Sequence, residues 1–149
     1  MRAKPRTWAA NGSEIKVPQR PGFKEFGYEE GHWQYVDSYT GYYRAPGQEV
    51  VRYQGEPIWL MSYDGGMLPE YLGKSQFTKQ TFDFLKKALL EVKRSRPFRG
   101  PELFVEKNYT YLCQSEGTII DFHGEEKIIY HGKEVFQQRF MGGLVVKKE

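Results

Sequence analysis

The chain repeats part of its own sequence, and this repeat restricts the possible folds more than any other feature. Residues 47–68 align with residues 124–145 at an offset of 77 with six identities, which include the glycine pairs at 65–66 and 142–143. Two unrelated segments of that length share about one or two identities by chance. We therefore interpret the two segments as copies of one structural unit.

Each copy has the pattern of three β-strands. Trp33–Tyr39 alternates between two faces, as a half-buried strand does. The turn residues at 54–55 and 131–132 separate β-rich runs and predict hairpins, while the two glycine pairs predict the ends of the third strands. Between the copies, apolar residues recur at three- and four-residue spacing, which predicts a helix over about 78–94.

These patterns predict an α+β fold and a single domain over residues 1–149. Two internally duplicated antiparallel β units of about three strands each cover about 31–68 and about 108–145, and the one main helix between them packs on the sheet. If both copies have the same elements, a helix should also precede the first unit. Residues 1–4 are too few to form that helix. The chain therefore either begins inside such a helix or has lost it.

Composition excludes several classes of protein. The net charge of +3 falls short of the dense positive surface of a dedicated nucleic-acid binder. The mean hydropathy is −0.70, and no apolar run approaches the roughly 18 residues of a membrane span. The first residues lack the apolar segment of a secretory signal, and the lone Cys113 suits a reducing compartment, so we expect a cytoplasmic protein.

Four motifs, at 20–26, 30–39, 47–51 and 97–101, resemble an uncharacterised prokaryotic domain family. The resemblance extends from about residue 7 to residue 143. Members of that family often lie C-terminal to helix-turn-helix transcriptional regulators of the XRE type, and they usually carry an N-terminal helix. The resemblance implies a regulatory context but no established activity. No helix-turn-helix precedes the domain in this sequence.

Three carboxylates fall on aromatic or apolar strand faces. Alternate residues of a strand share one face, so Glu49 and Glu126 should both turn inward, as should Asp37. A carboxylate among aromatic rings is desolvated, which raises its pKa and suits an acid, a base or an anchor for a cationic ligand. The structural alternative is that each glutamate binds an arginine such as Arg20 or Arg44.

The many tyrosines on the inward face suggest a partly open cleft as well as a core, because buried tyrosines need hydrogen-bond partners. We therefore expect a non-catalytic ligand-sensing or interaction domain of the regulator-associated type, with a small-molecule pocket between the repeats. The expected ligand-binding residues are Glu49, Glu126, Asp37, Trp33, Tyr39, Trp59 and Tyr63. No cofactor or metal is expected, because the three histidines and Cys113 lack metal-ligand spacing.

Two other functions stay open. A small hydrolase would use Asp37 or Glu49 as its general base. A module for single-stranded nucleic acid would bind through the basic stretch around the helix. That stretch contains Lys86, Lys87, Lys93, Arg94, Arg96 and Arg99, and its structural alternative is the solvated face of a half-buried helix.

The expected partners are a small-molecule ligand, a second copy of the chain and a separate DNA-binding protein. Apolar Val50 and Ile129 on edge-like strands suggest sheet-to-sheet pairing of two copies. Neither a membrane nor direct binding of nucleic acid is expected, given the hydropathy and the charge.

Overall fold

The structure, a computed structural model, describes residues 13–149. This part of the chain contains eight β-strands and one α-helix. The strands are β1 (Lys24–Glu30), β2 (Trp33–Tyr39), β3 (Gly47–Tyr53), β4 (Glu56–Met67), β5 (Leu103–Glu106), β6 (Tyr109–Thr118), β7 (Asp121–Tyr130) and β8 (Lys133–Leu144). A short 3₁₀ turn at Pro69–Tyr71 precedes the helix α1 (Ser75–Leu90).

All eight strands belong to one antiparallel sheet with the order β1-β2-β3-β4-β8-β7-β6-β5. Within β1–β4, and again within β5–β8, each strand pairs with the next along the chain. The two sets of four are called here the first half and the second half. Pairing of β4 with β8, from Trp59 opposite Leu144 to Met67 opposite Phe136, joins them into one sheet.

The expected α+β fold of two three-stranded units is wrong. The described residues are 53% strand and 14% helix, and they build a single eight-stranded sheet with one helix. The two strands that the sequence patterns miss are β1 and β5, which form the edges of the sheet. Strand β1 carries Gly27 and three glutamates, residue types that strands disfavour, and β5 has only four residues.

The glycine pairs lie at the ends of two strands, as expected: β4 ends at Met67 and β8 at Leu144, each one residue after its pair. Close packing of backbone explains the glycines better than a turn does. A Cβ atom on Gly65 would lie 2.2 Å from the carbonyl oxygen of Gln137, and one on Gly66 would lie 2.2 Å from that of Tyr43. Both residues also have positive φ angles, of 155° and 151°, which side chains disfavour.

Both expected hairpin turns are confirmed. Gln54 and Gly55 join β3 to β4, and His131 and Gly132 join β7 to β8, all four with positive φ. Two successive positive φ angles are typical of the tight turn that matches the twist of antiparallel strands. The helix lies at Ser75–Leu90 rather than at 78–94.

Helix α1 packs on one face of the second half of the sheet. Its Phe84 ring stacks on Tyr109 of β6 with centroids 4.9 Å apart, and Phe77 contacts Tyr130 of β7 at 5.2 Å. Phe82 meets Phe136 of β8 edge to face. This apolar cover buries the centre of β6–β8 and places the helix beside the first half, where the same face of the sheet is less completely covered.

Some expectations fall on residues 1–12, which lie outside the described part of the chain. They are the length of the N-terminal helix at 1–4 and the start of the family resemblance near residue 7.

Within residues 13–149, no helix has the length and apolar character needed to cross a membrane. Val50 and Ile129 lie in β3 and β7, which are inner strands and not edges. The boundaries of the two repeats stay a prediction.

Candidate functional site

A cavity of about 700 Å³ lies between the first half of the sheet and helix α1. Strands β1–β4 supply its floor, the helix supplies one wall, and Arg99 and Gln138 close it on the side of the second half. The volume is in the range of pockets that hold small organic molecules. The aromatic residues that line it are Phe26, Tyr35, Tyr39, Tyr42, Tyr63 and Phe82.

Two carboxylates form the centre of the cavity floor. Asp37 of β2 lies directly opposite Glu49 of β3, so both side chains project from the same face of the sheet. They are 6% and 4% exposed, which confirms the expected inward orientation. The Tyr63 hydroxyl donates a hydrogen bond to Asp37 Oδ1 at 2.6 Å.

Tyrosines surround this carboxylate pair and stay protonated beside it. Burial raises the pKa of Tyr35 well above its ordinary value, and the negative charges of Glu49 and Asp37 raise it further. Burial and Asp37 have the same effect on the pKa of Tyr63, although Arg99 opposes it. Both hydroxyls therefore remain available at neutral pH as hydrogen-bond donors to carboxylates or to a bound molecule.

One guanidinium connects the two halves of the sheet. Arg99 is 4% exposed. Its Nη1 atom lies 3.6 Å from Glu49 Oε1, and its Nη2 atom lies 2.9 Å from Glu126 Oε1. It also lies over the Tyr63 ring, 4.7 Å from its centroid. Burial disfavours the guanidinium charge, yet Glu126 and Glu49 hold the pKa of Arg99 well above its ordinary value.

Glu126 is completely enclosed and does not line the cavity. Its carboxylate accepts hydrogen bonds from Arg99 Nε at 3.0 Å, from the Tyr111 hydroxyl at 2.5 Å and from Gln138 Nε2 at 2.7 Å. Gln138 also lines the cavity, so its side chain separates Glu126 from the open space. The structural alternative, a glutamate bound to an arginine, thus describes Glu126 well, with Arg99 in place of Arg20 or Arg44.

The other expected ligand-binding residues divide into two groups. Tyr39 and Tyr63 line the cavity together with Asp37 and Glu49. Trp33 lies apart, 52% exposed and tilted against Tyr53. Trp59 also lies apart, because its ring stacks on Phe122 in the core and its indole N–H donates to the carbonyl of Ile119. The structure therefore brings together four of the seven residues.

Four lysines lie at the rim of the cavity. Lys24 of β1 and Lys79, Lys86 and Lys87 of α1 all contribute to the lining. Lys79 binds Asp83 at 2.7 Å, and Lys87 binds Glu106 at 2.8 Å. Burial lowers the pKa of Lys86, and the neighbouring Lys79 and Lys24 lower it further, while Asp83 opposes them. The lysines therefore create a positive field at this end of the cavity.

The sequence patterns miss Arg99, Gln138 and the rim lysines as parts of the site. Arg99 belongs to the basic stretch that was expected to face solvent. It lies in the motif at 97–101, between a phenylalanine and a glycine, with a proline on either side of the three. Prolines and arginines are both mostly exposed in proteins, so this setting does not by itself predict a buried arginine.

The basic stretch is also partly occupied by structural contacts. Arg96 donates from Nε to Ser115 Oγ at 3.0 Å and from Nη2 to the Cys113 carbonyl at 2.9 Å. Burial and the charge of Glu126 raise the pKa of the Cys113 thiol, which disfavours its reactive thiolate. No group of three or more metal-binding side chains occurs within residues 13–149.

Comparison with known proteins identifies a family and no relative of known activity. Residues 37–145 match the family model described as "Domain of unknown function (DUF5680)". This span includes both carboxylates of the cavity floor, Arg99, Glu126 and the whole of α1. No curated protein and no solved structure matches the chain.

Proposed function

Because the chain belongs to this family of domains of unknown function, we propose its role from the cavity: it binds a small organic molecule there and acts as a ligand-sensing domain. The observation that carries the proposal is a cavity of about 700 Å³ whose floor holds the buried pair Asp37 and Glu49 among aromatic rings. Two carboxylates beside open space, one bound by Tyr63 and the other by Arg99, favour a ligand that donates hydrogen bonds.

Asp37, Glu49, Tyr39 and Tyr63 contact the ligand in this proposal. The carboxylates anchor it, and the tyrosine rings supply contact area and cation–π attraction. Trp33, Trp59 and Glu126 are not part of the proposed contact surface, since none of them lines the cavity.

Sensing requires that occupancy of the cavity changes a second part of the molecule. Arg99 supplies a physical connection, because the same guanidinium binds Glu49 at the cavity and Glu126 within the second half. A ligand cation at Glu49 competes with Arg99 for that carboxylate. The resemblance to domains that follow XRE-type regulators supports a DNA-binding protein as the partner that responds to this change.

A thermal-shift screen of a metabolite library against three proteins tests the proposal. They are the wild type, Glu49→Gln and Glu126→Gln. The two variants are matched, because each removes one carboxylate from the same guanidinium, but only Glu49 faces the cavity. Ligands that bind the native state raise its melting temperature.

We expect a compound that raises the melting temperature of the wild type and of Glu126→Gln but not that of Glu49→Gln. A shift that survives in Glu49→Gln and disappears in Glu126→Gln would contradict binding at the cavity floor. The absence of any hit would contradict the sensing role. Turnover of a hit compound by the wild type, with none by Glu49→Gln, would favour the hydrolase alternative instead.

A further inference from the structure

The two edges of the sheet differ in how they meet solvent. The edge strand β1 is covered by the segment that precedes it, since the Gly27 N–H donates to the Ser13 carbonyl and the Ile15 N–H donates to that of Glu25. Strand β1 also carries one lysine and three glutamates. Charged side chains and a covering segment are two ways in which proteins keep a strand edge from pairing with another chain. The β1 edge is therefore protected.

The opposite edge, β5, is apolar at its centre and uncovered. Leu103 and Val105 are 58% and 57% exposed, and they lie on the same face as the exposed Leu112 of β6, which is in register with Leu103. Within residues 13–149, no strand or isolated bridge pairs with the outer side of β5. Exposed apolar side chains on an unpaired strand are typical of an edge that associates with another strand.

The backbone of β5 points outward at the same two residues. The Cys113 N–H donates to the Glu102 carbonyl at 3.1 Å, which makes these two residues a hydrogen-bonded pair. Hydrogen-bonded and non-hydrogen-bonded pairs alternate along antiparallel strands, so Leu103 and Val105 turn their N–H and C=O groups away from β6. Each of the two residues therefore offers one donor and one acceptor to a further strand.

We propose that β5 pairs with the β5 strand of a second copy of this chain, antiparallel and about a two-fold axis through Phe104. Leu103 then lies opposite Val105 of the second copy, and the symmetry repeats this pair on the other side of the axis. The two pairs exchange four backbone hydrogen bonds and join two eight-stranded sheets into one. This dimer does not depend on the proposed function of the cavity.

A second copy is the occupant that the edge fits, because the edge is complementary to itself. Directly opposite residues of antiparallel strands share a face, so this register sets the apolar side chains of Leu103 and Val105 against each other on the exposed face. On the other face, Phe104 meets the same residue of the second copy, beside the Phe84 ring of α1 that it contacts at 5.6 Å. The centre of the pairing therefore contains apolar side chains on both faces.

Acidic residues stand at the two ends of the pairing and limit its strength. The register sets Glu102 opposite Glu106 of the second copy, and like charges in direct opposition weaken strand pairing. Lys87 reduces this cost, because its ammonium binds both carboxylate oxygens of Glu106, at 2.9 Å and 2.8 Å. A four-residue strand buries less area than a standard interface, so we expect a weak dimer that forms at about 100 µM chain and dissociates at about 1 µM.

Analytical ultracentrifugation of the wild type, Val105→Lys and Met141→Lys, from about 1 to 500 µM, tests the dimer. Val105→Lys places a charge at the paired edge, whereas Met141→Lys places one on the same face of the inner strand β8, at a residue that is 65% exposed. We expect Val105→Lys to dimerise at least about tenfold more weakly than the wild type and Met141→Lys to dimerise as the wild type does. A wild type that stays monomeric at every concentration, or a dimer that Val105→Lys leaves unchanged, would overturn the proposal.

Introduced cysteines test the register without adding a charge. In the proposed pairing the Cα atoms of residue 103 and of residue 105 in the other copy are about 5.5 Å apart, which suits a disulfide, whereas the two residues 103 are about 7–8 Å apart. An oxidised equimolar mixture of Leu103→Cys and Val105→Cys should therefore give a covalent dimer that neither variant gives alone. Cys113 is 2% exposed, and the wild type under the same oxidation is its control. A mixture that gives no more covalent dimer than the separate variants would contradict the pairing.

Discussion

Glu49 and Glu126 occupy comparable positions in the two halves of the sheet, and their surroundings differ. Each is an inward glutamate on the third strand of its half, and each binds Arg99. Glu126 is fully enclosed and receives hydrogen bonds from Arg99, Tyr111 and Gln138. Glu49 has a longer contact with Arg99 and lies at the wall of a cavity.

The difference follows from what covers each half. In the second half, α1 contributes Phe77, Phe82 and Phe84 to the aromatic core, and no comparable space remains beside Glu126. Beside the first half, Lys79, Lys86 and other polar helix residues line the cavity. A buried carboxylate that is saturated by protein donors stabilises the fold, whereas one that is only partly saturated is available to a ligand.

Removal of the shared guanidinium should have the largest effect. Arg99→Met removes the guanidinium that both Glu49 and Glu126 bind, and loss of one partner of a buried ion pair costs about 3–5 kcal/mol. Urea unfolding should show this loss in the free energy of unfolding. Arg94→Met, at an exposed arginine, is the control and should change stability little. A cost for Arg99→Met as small as that of the control would mean that the guanidinium does not hold the halves together.

The two glutamates should differ in their contribution to stability. Glu126→Gln weakens three hydrogen bonds to a charged acceptor and should cost about 2–3 kcal/mol. Glu49→Gln should cost about 1 kcal/mol, because its carboxylate has a longer contact with Arg99 and borders the cavity. The same urea experiment compares the two variants. Equal losses, or a greater loss for Glu49→Gln, would remove the distinction between the two sites.

The hydroxyls of Tyr111 and Tyr63 should also differ in their contribution to stability, by less than the two glutamates do. The Tyr111 hydroxyl donates to Glu126 and accepts from the Gly100 backbone N–H at 3.1 Å, so Tyr111→Phe removes one of the three donors to Glu126 and the side-chain acceptor of the Gly100 N–H. We expect a loss of about 2 kcal/mol. The Tyr63 hydroxyl donates to Asp37 beside the cavity, where water can replace it, so Tyr63→Phe should cost about 1 kcal/mol. Thermal unfolding of the two variants measures the difference, and the reverse order would contradict it.

The reaction rate of the Cys113 thiol tests how completely the second half is enclosed, and it requires no measurement of stability. Burial and the charge of Glu126 raise the pKa of its thiol, so the thiolate fraction at neutral pH is smaller than for a free cysteine. A colorimetric disulfide reagent should react with it far more slowly than with a free thiol, and the rate should still be increasing with pH above about 8.5. A Lys86→Cys, Cys113→Ser variant, with its thiol at the half-buried rim of the cavity, should react faster. Equal rates would show that the second half is as open as the first.

The sequence predicts the parts of this molecule that depend on local patterns. Alternation along β3 and β7 places Glu49 and Glu126 inward, and the turn residues at 54–55 and 131–132 predict the hairpins. The sequence cannot predict which of the two glutamates borders the cavity, because that depends on where α1 lies over the sheet. The edge strand β1 lacks a strand-like composition, since backbone pairing with β2 maintains it, and its contribution of Lys24 and Phe26 to the cavity was missed for that reason.

A nuclear magnetic resonance titration tests the central claim, that the molecule has one open and one saturated carboxylate site. The backbone amide shifts of the wild type are followed as a compound that raises its melting temperature in the metabolite screen is added. We expect the largest changes in β2 and β3 around Asp37 and Glu49 and along α1 from Thr78 to Lys86, with small changes around Glu126. Changes centred on β6 and β7, or confined to the opposite face of the sheet, would contradict the claim.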